Sequence, residues 1–213
     1  MHEGFFITGT DTNIGKTIVS AILVNKLDAI YHKPIQCGLN KNGMKDSDII
    51  FEICKKKTII KETYFFKKPL SPNIAAVDEN VIIDIKKLKQ IQKVKFDKKI
   101  IVEGAGGLHV PINKNLYLYD FANLFKLPVI LVCRTSLGTI NHTLLSIKCI
   151  KEKNINLFGL VFVGEEEPET IETILYHGKK IYGKGLKILA RIPIKKKINK
   201  VVIDNLKKLF ISI

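Results

Sequence analysis

A glycine-flanked loop near the start of the chain constrains the fold more than any other feature of the sequence. The loop follows the apolar run Phe5-Phe6-Ile7 and reads Gly9-Thr10-Asp11-Thr12-Asn13-Ile14-Gly15-Lys16-Thr17. A strand that turns tightly into a helix brings successive backbone N–H groups together at the positive end of that helix, where they bind phosphate oxygens. The loop therefore predicts a P-loop nucleotide site within an α/β fold.

The end of this loop carries the side chains that a triphosphate site needs. Lys16 is expected to reach the β- and γ-phosphates, and the Thr17 hydroxyl is expected to be a ligand of Mg²⁺. The usual motif has its first glycine at the position of Thr10, whereas this chain has Gly9 one place earlier. The alternative is an ordinary glycine turn before a helix with a surface lysine. The expected nucleotide contacts are Asp11, Thr12, Asn13, Ile14, Gly15, Lys16, Thr17 and Ile18.

The size and composition of the chain are those of one globular domain. It has 213 residues, of which 46% are hydrophobic, and we expect a single P-loop α/β domain over residues 1–213. No apolar stretch approaches the roughly 20 residues that span a bilayer, which predicts a cytoplasmic protein without a membrane partner. The cysteines are too widely spaced to indicate a zinc site or a disulfide framework: Cys37, Cys54, Cys133 and Cys149.

The formal net charge of +15 raises the possibility of a polyanion-binding surface. The lysines are spread along the whole chain, however, and the sequence is also rich in Ile and Asn. This pattern indicates a general compositional drift, so that most lysines are expected to be solvated surface residues. We therefore expect no nucleic-acid partner, with a polyanion-binding face as the alternative.

Apolar runs alternate with segments of helical period, which predicts a mostly parallel central sheet with helices on both faces. The predicted strands are Gly4–Thr8, Ala29–Lys33, Lys99–Glu103, Pro128–Cys133, Leu157–Val163 and Lys187–Arg191. The predicted helices are Lys16–Leu27, Asp46–Lys56, Val81–Val94, Leu118–Phe125, Thr139–Lys153, Pro168–Tyr182 and Lys200–Phe210. The carboxyl ends of such strands meet at one edge of the sheet, where the chemistry is expected.

Two carboxylates are placed to serve a metal at that edge. Glu103 ends an apolar strand and is followed by Gly104-Ala105-Gly106-Gly107, and Asp48 lies in the first turn of a predicted helix that starts at Asp46. Mg²⁺ prefers oxygen ligands and bridges phosphate oxygens, so Glu103 and Asp48 are candidate ligands. The alternatives are a structural hydrogen-bond acceptor for Glu103 and helix-capping or first-turn charges for Asp46 and Asp48.

Six segments together resemble the dethiobiotin synthetase family. They stand in the family's order between Gly9 and His142, and the ordered set is far more specific than a P-loop alone. The segments are Gly9–Thr17, Lys33-Pro34, Ser47-Asp48, Ser71-Pro72, Glu103-Gly104-Ala105-Gly106-Gly107 and Leu137-Gly138-Thr139-Ile140-Asn141-His142.

The resemblance implies closure of a cyclic urea on 7,8-diaminononanoate with CO₂, ATP and Mg²⁺. One substrate amine captures CO₂ as a carbamate, the γ-phosphoryl group passes to a carbamate oxygen, and the second amine attacks the carbonyl and releases phosphate. The carbamate and the triphosphate are both anionic, so cations must hold them together. Lys16 and Lys33 are expected to do so, with Thr12 as the third catalytic residue.

The resemblance also implies the remaining residue roles. The metal ligands would be Thr17, Asp48 and Glu103, and the family forms homodimers in which Leu137–His142 helps to close the partner's diamine site. Further nucleotide contacts would be Glu103, Gly104, Ala105, Gly106, Val163 and Pro193. The diamine would contact Thr12, Lys33, Cys37, Ser71, Pro72, Gly106, Gly107, Leu137, Gly138 and Asn141. From the residue alone, Cys37 could equally be a small buried thiol.

Two departures from the family pattern concern the nucleotide. Asn13 stands where relatives often have Glu, and Val163 stands where many have an Asn that reads the adenine edge. Because an apolar side chain cannot make that paired hydrogen bond, we predict relaxed discrimination among ATP, GTP and CTP. Two other functions remain open at this stage: a ParA- or MinD-like switch on DNA or a membrane, and a related amide-forming ligase.

Overall fold

A computed structural model describes residues 3–55, 59–94, 96–211 and 213. The strands are β1 (Gly4–Gly9), β2 (Ile30–His32), β3 (Ile35–Cys37), β4 (Ile59–Ile60), β5 (Tyr64–Phe66), β6 (Ile100–Gly107), β7 (Val129–Arg134), β8 (Leu157–Val163) and β9 (Ile188–Ile192). The α-helices are α1 (Lys16–Leu27), α2 (Asp46–Cys54), α3 (Pro72–Asp78), α4 (Ile85–Lys89), α5 (Leu118–Phe125), α6 (Thr139–Glu152), α7 (Pro168–Tyr182) and α8 (Lys200–Leu206). Short 3₁₀ turns follow α4 at Gln90–Lys93 and α8 at Lys207–Leu209.

Within the described residues, seven strands form one sheet in the order β4-β2-β6-β1-β7-β8-β9, and every neighbouring pair is parallel. The strands β3 and β5 form a separate parallel pair beside it. Because β1 lies between β6 and β7, the loop after β1 is flanked by the carboxyl-terminal parts of both neighbours. That position is where an open parallel sheet binds ligands.

The alternating side chains of the strands build one hydrophobic core on each face of the sheet. Phe6 and Ile7 are consecutive, so they point to opposite faces, and both are fully buried. Phe6 packs in the core that contains Phe121 of α5, and Ile7 packs in the core that contains Ile22 of α1. Burial of each such side chain stabilises the fold by about 1.5–3 kcal/mol. The expected sheet with helices on both faces is confirmed.

Four predicted elements have the observed bounds, and the differences elsewhere have local causes. The helix predicted from Val81 begins at Ile85, because the Asp84 carboxylate accepts the Lys86 N–H at 2.7 Å and caps it there. Helix α2 ends at Cys54; its predicted end, Lys56, lies outside the described residues. The helix predicted to Phe210 is α-helical only to Leu206. The four that agree are Lys16–Leu27, Leu118–Phe125, Leu157–Val163 and Pro168–Tyr182.

Four short elements were not predicted. The strands β3, β4 and β5 have two or three residues each, too few for a periodic pattern to stand out. Helix α3 begins at Pro72 after Ser71, and serine followed by proline is itself a helix-start signal. In the described part of the chain, no helix is long and apolar enough to cross a bilayer.

Candidate active site

The loop between β1 and α1 is shaped by close contacts at both of its outer glycines. A Cβ atom at Gly9 would lie 2.3 Å from Ile14 Cδ1, so the early glycine makes room for the buried Ile14 side chain. Gly15 has a φ of +99°, and a Cβ atom there would lie 3.1 Å from Val163 Cγ1. The offset of Gly9 from the usual motif is therefore a packing feature of this loop.

Lys16, the first residue of α1, folds back over the loop. Its Nζ donates to the Asp11 carbonyl oxygen at 2.6 Å, and the residue is only 7% exposed. Burial lowers the pKa of Lys16 to about 8, because desolvation penalises the charged form; Glu103 opposes this shift and Lys33 adds to it.

Glu103 on β6 is the centre of a buried hydrogen-bonded cluster. It is 1% exposed, and its Oε2 accepts from the Ser20 hydroxyl at 2.8 Å and from the Tyr31 hydroxyl at 3.0 Å. Its Oε1 accepts from the Thr17 hydroxyl at 3.0 Å and from Lys33 Nζ at 3.2 Å. Two hydroxyls thus fix one carboxylate oxygen, while the other faces Thr17 and Lys33.

Lys33 follows β2 and joins this cluster to the start of α2. Its Nζ forms ion pairs with Glu103 and with the Asp46 carboxylate, and the side chain is 8% exposed. Burial opposes the charge of Lys33, but Glu103 and Asp46 outweigh it and raise its pKa. The Lys33 ammonium therefore lies within hydrogen-bond reach of two carboxylates that favour its charged form.

The structure separates the two aspartates of α2. Asp46 contacts Lys33 within the Glu103 cluster, whereas the Asp48 carboxylate accepts the Lys45 backbone N–H at 2.9 Å and caps α2. Asp48 thus has the first-turn role that the sequence left open as an alternative, and its side chain lies outside the Glu103 cluster. Its assignment as a metal ligand stays a prediction.

The donor set beside the loop fits magnesium. Mg²⁺ takes hydroxyl, carboxylate and phosphate oxygens and is commonly bound through one or two carboxylates plus substrate phosphates. Thr17 Oγ1 and Glu103 Oε1 lie 3.0 Å apart and are both oxygen donors of that kind. Within the described residues there is no group of three or more His, Cys, Asp or Glu side chains arranged to hold a metal by themselves, so the phosphates would have to complete the coordination.

A first cavity, of about 430 Å³, lies on one side of the loop. It is bounded by the loop itself, by the segment after β6 and by one side of α6. Its lining residues are Thr10, Asp11, Thr12, Gly107, Leu108, His109, Val110, His142, Leu145 and Ser146. Of the predicted diamine contacts, this cavity contains Thr12 and Gly107.

A second cavity, of about 500 Å³, lies on the other side of the loop and is walled mostly by apolar side chains. Val163 and Pro193, the two residues expected near the base, are both in its wall together with four loop and α1 residues from the predicted nucleotide contacts: Asn13, Ile14, Gly15 and Ile18. Glu165, Glu167 and Lys195 contribute charged groups. The P-loop therefore separates two cavities of similar size.

The glycines after Glu103 form an irregular end of β6. Ile7 pairs with Glu103 and Gly9 pairs with Gly107, so β6 bulges over Gly104-Ala105-Gly106 opposite the loop. Gly106 has a φ of +77°, which a side chain rarely allows. The predicted nucleotide contacts in this bulge thus lie beside the P-loop, between it and β2.

Other predicted diamine contacts lie outside the first cavity. Cys37 ends β3, where burial raises the pKa of its thiol to about 11. Ser71 precedes α3 at its N-cap position, and its hydroxyl donates to Asn73 Oδ1 at 2.8 Å; Pro72, the first residue of α3, is buried. Leu137 is fully exposed, Gly138 precedes α6, and Asn141 is exposed on its first turn.

Three residues of the site were missed by sequence reasoning. Ser20 and Tyr31 donate to Glu103, and Arg134 forms an ion pair with Asp11 at 2.7 Å. Ser20 lies one turn after Thr17 on the same side of α1, a spacing that could have identified it. Arg134 is a charged residue that ends an apolar strand, which is the signal that singled out Glu103.

A strand, a tight loop with a buried lysine and a helix, set beside a buried carboxylate in a parallel sheet, define a P-loop nucleotide-binding protein. A family model described as an AAA domain matches residues 3–202. The ATP-dependent dethiobiotin synthetase BioD of Lawsonia intracellularis is 41% identical and aligns over 97% of this chain and 98% of its own. That of Brucella anthropi is 40% identical over 82% of this chain and 81% of its own. The chain belongs to the dethiobiotin synthetase family.

Solved structures share the fold at low sequence identity. A ParA family ATPase from Chlorobium tepidum has a TM-score of 0.58 at 11% identity, covering 98% of this chain and 96% of its own. The MinD cell division protein of Aquifex aeolicus has a TM-score of 0.53 at 14% identity, covering 96% and 87%. These likenesses concern the fold alone. The family, the P-loop α/β fold and the ATP-dependent ligase class expected from the sequence are confirmed.

Proposed function

We propose that this chain catalyses the ATP-dependent closure of 7,8-diaminononanoate with CO₂ to dethiobiotin, releasing ADP and phosphate. One observation carries the proposal: Lys16 and Lys33 both lie close to Glu103 beside the P-loop, and residues of that loop line two cavities. A reaction between two anions needs cations at the point where they meet, and a cavity on each side of that point can hold the two partners.

The reaction has three steps. An amine nitrogen attacks CO₂ and loses a proton, which forms an N–C bond and a carbamate. A carbamate oxygen then attacks the γ-phosphorus, the bond from that phosphorus to the β-phosphate oxygen breaks, and ADP leaves. Finally the second amine attacks the carbonyl carbon and loses a proton, the bond to the phosphate oxygen breaks, and the cyclic urea is complete.

Lys16 and Lys33 would supply the positive charge in the second step. Lys16 exchanges the Asp11 carbonyl oxygen for the β- and γ-phosphates, and Lys33 holds the carbamate oxygen in line with the γ-phosphorus, with Thr12 beside it. Positioning of this kind can lower a barrier by about 7–11 kcal/mol. Magnesium, held by Thr17 and Glu103 together with Asp48, would neutralise charge on the phosphate oxygens.

The two cavities suggest how the substrates divide. We assign the diamine to the first cavity, which the P-loop, Gly107 and α6 surround, and the nucleobase to the second, beside Val163 and Pro193. The triphosphate would run between them along the loop and past Gly104-Ala105-Gly106. Cys37, Ser71 and Pro72 would lie further along the diamine.

A second copy of the chain would complete the diamine site. The fully exposed Leu137, with Gly138 and the exposed Asn141, supports a role for residues 137–141 in the partner's site, while His142 lines the first cavity of its own chain. We accordingly propose a homodimer, formed by single-domain chains and working in the cytoplasm.

Phosphate release by the purified protein tests the proposal. It should require the diamine, bicarbonate, Mg²⁺ and nucleotide together, because the phosphoryl group has no acceptor until the carbamate forms. Lys16→Ala should nearly abolish release, whereas Lys179→Ala, which removes an exposed lysine of α7, should leave it unchanged. Nucleotide hydrolysis that ignores the diamine would contradict the proposal and favour a nucleotide-dependent switch.

A further inference from the structure

A partly exposed ion pair joins the P-loop to the neighbouring strand. Arg134 is the last residue of β7, which pairs with β1, and it therefore ends beside the loop that follows β1. Its guanidinium donates to Asp11 Oδ2 at 2.7 Å. Neither residue belongs to the Glu103 cluster, so the pair is a second, separate connection to the loop.

Asp11 fixes the loop through three of its atoms. Oδ1 accepts the Thr12 backbone N–H at 2.7 Å, Oδ2 accepts from Arg134, and the carbonyl oxygen accepts from Lys16 Nζ at 2.6 Å. Of these three contacts, the Arg134 contact alone comes from outside the loop and its helix. When Lys16 turns to a triphosphate, Arg134 would be the external restraint that remains.

Arg134 also links the two cavities. Asp11 lines the first cavity and Arg134 lines the second, so the ion pair joins a residue of one cavity to a residue of the other. The Arg134 carbonyl oxygen accepts from the Thr139 hydroxyl at 2.5 Å, which ties the same residue to the first turn of α6. Arg134 Nε is buried and has no hydrogen-bond partner within the described residues.

The charge of Asp11 gives this arrangement a consequence for catalysis. Asp11 brings a carboxylate to a site that must hold two anions, and an unneutralised carboxylate there would repel both of them. We propose that Arg134 is a positioning residue for the reaction: it neutralises Asp11 and holds the P-loop in the conformation that receives the triphosphate. This inference rests on the proposed function of the same site.

Stability and activity can be separated in a test of this inference. The Arg134 and Asp11 side chains are 36% and 45% exposed, and ion pairs with that much solvent contact contribute little to the free energy of unfolding. Arg134→Ala should therefore leave the melting temperature nearly unchanged. It should lower kcat/KM for the nucleotide and weaken binding of a non-hydrolysable nucleotide, each by about tenfold or more.

The double variant Arg134→Ala/Asp11→Asn gives the sharper measurement. The introduced amide would keep an oxygen for the Thr12 N–H but carry no charge, so the double variant should recover the part of the nucleotide affinity that Arg134→Ala loses to the unneutralised carboxylate, while the restraint on the loop stays lost. Arg134→Lys, which keeps the charge, should lie between Arg134→Ala and the unaltered protein. Lys98→Ala is the matched control, since Lys98 forms an ion pair with Asp28 away from the site, and it should change neither quantity.

Two results would overturn the inference. One is a loss of nucleotide affinity smaller than about threefold in Arg134→Ala. The other is a double variant whose loss of affinity is the product of the losses measured separately for Arg134→Ala and Asp11→Asn, which indicates independent roles. Nucleotide binding is measured without the diamine, so it reports on the ion pair even if diamine-dependent phosphate release fails in the unaltered protein. That failure would instead reject the proposed function.

Discussion

At one end of the P-loop, Glu103 accepts hydrogen bonds from four side chains among the described residues, and those donors come from α1, from β2 and from the residue after it. At the other end of the same loop, the second cavity is walled mostly by aliphatic side chains such as Ile18, Val163 and Ile198. The phosphate end is therefore fixed by directional bonds between buried groups. The base end offers mostly apolar surface, with Arg134, Glu165, Glu167 and Lys195 as its charged groups.

This difference indicates where selectivity resides. Buried polar groups with several fixed partners discriminate strongly, because a wrong ligand leaves some of them unpaired. An apolar wall discriminates only by size and contact area, and bases of similar size differ little in either. Substitutions of the buried polar residues at the phosphate end should thus not be tolerated. The base end should accept several bases, and substitutions in its wall should change the base preference.

The largest expected effect is at the phosphate end, in Lys33→Ala. Removing this cation should lower kcat by about a thousandfold or more, since Lys33 is proposed to hold the carbamate against the triphosphate. The change also leaves Glu103 buried without its cation, which costs about 3–5 kcal/mol of stability. Steady-state phosphate release and thermal unfolding measure the two effects.

The double variant Lys33→Ala/Glu103→Gln separates these effects. Glutamine carries no charge, so the melting temperature should recover towards that of the unaltered protein. Catalysis should not recover, because neither substitution replaces the lost cation and Glu103→Gln also removes a proposed magnesium ligand. A double variant that regained both stability and activity would show that Lys33 has a structural role alone.

An intermediate effect is expected from pH, again at the phosphate end. The pKa of Lys16 is lowered to about 8, so the free protein loses this charge as the pH rises above 8. A triphosphate prefers the charged form, and its affinity should fall by up to about tenfold per pH unit above that value. Binding of a non-hydrolysable nucleotide between pH 7 and 9.5 measures this.

Lys33 and Cys37, which also lie near the loop, should not titrate in that range. The pKa of Lys33 is raised by Glu103 and Asp46 against the effect of burial, and burial raises that of the Cys37 thiol to about 11. Lys16→Ala should bind weakly and without this pH dependence. If the nucleotide affinity of the unaltered protein did not change up to pH 9.5, this would contradict the contact between Lys16 and the triphosphate.

Local sequence patterns determined how much of the fold and of the site could be predicted. The P-loop, the parallel sheet and Glu103 follow from local patterns: a glycine loop after an apolar run, alternating apolar segments, and a carboxylate that ends a strand. Each of these patterns favours one arrangement in an α/β fold. They required no knowledge of which residues meet in space.

What could not be predicted depends on long-range packing. Tyr31 donates to Glu103 because β2 and β6 are neighbours, an arrangement that strand order determines and the local sequence does not. Asp46 and Asp48 are both acidic first-turn residues, and only the path of the chain after Lys33 determines which one meets the cluster. The short strand β4 beside β2 leaves no periodic signal at all.

The smallest expected effect is at the base end, where Val163 stands in place of an amide. The unaltered protein should use ATP, GTP and CTP with kcat/KM values that differ by less than about a hundredfold, because its cavity wall lacks a paired donor and acceptor at that position. Val163→Asn should raise the preference for ATP over GTP by about fivefold, the effect of one added net hydrogen bond. Competition kinetics with the three nucleotides measures both quantities.

Val163→Thr is the matched control for this change, since threonine has nearly the shape of valine and its single hydroxyl cannot reach two positions on a base edge as an amide does. It should leave the order of the nucleotides unchanged. Val163 packs against Gly15, so a substitution that disturbed the loop itself would weaken all three nucleotides equally. An unaltered protein that prefers ATP by a hundredfold or more would mean that another residue of the second cavity reads the base, and the contrast between the two ends would then fail.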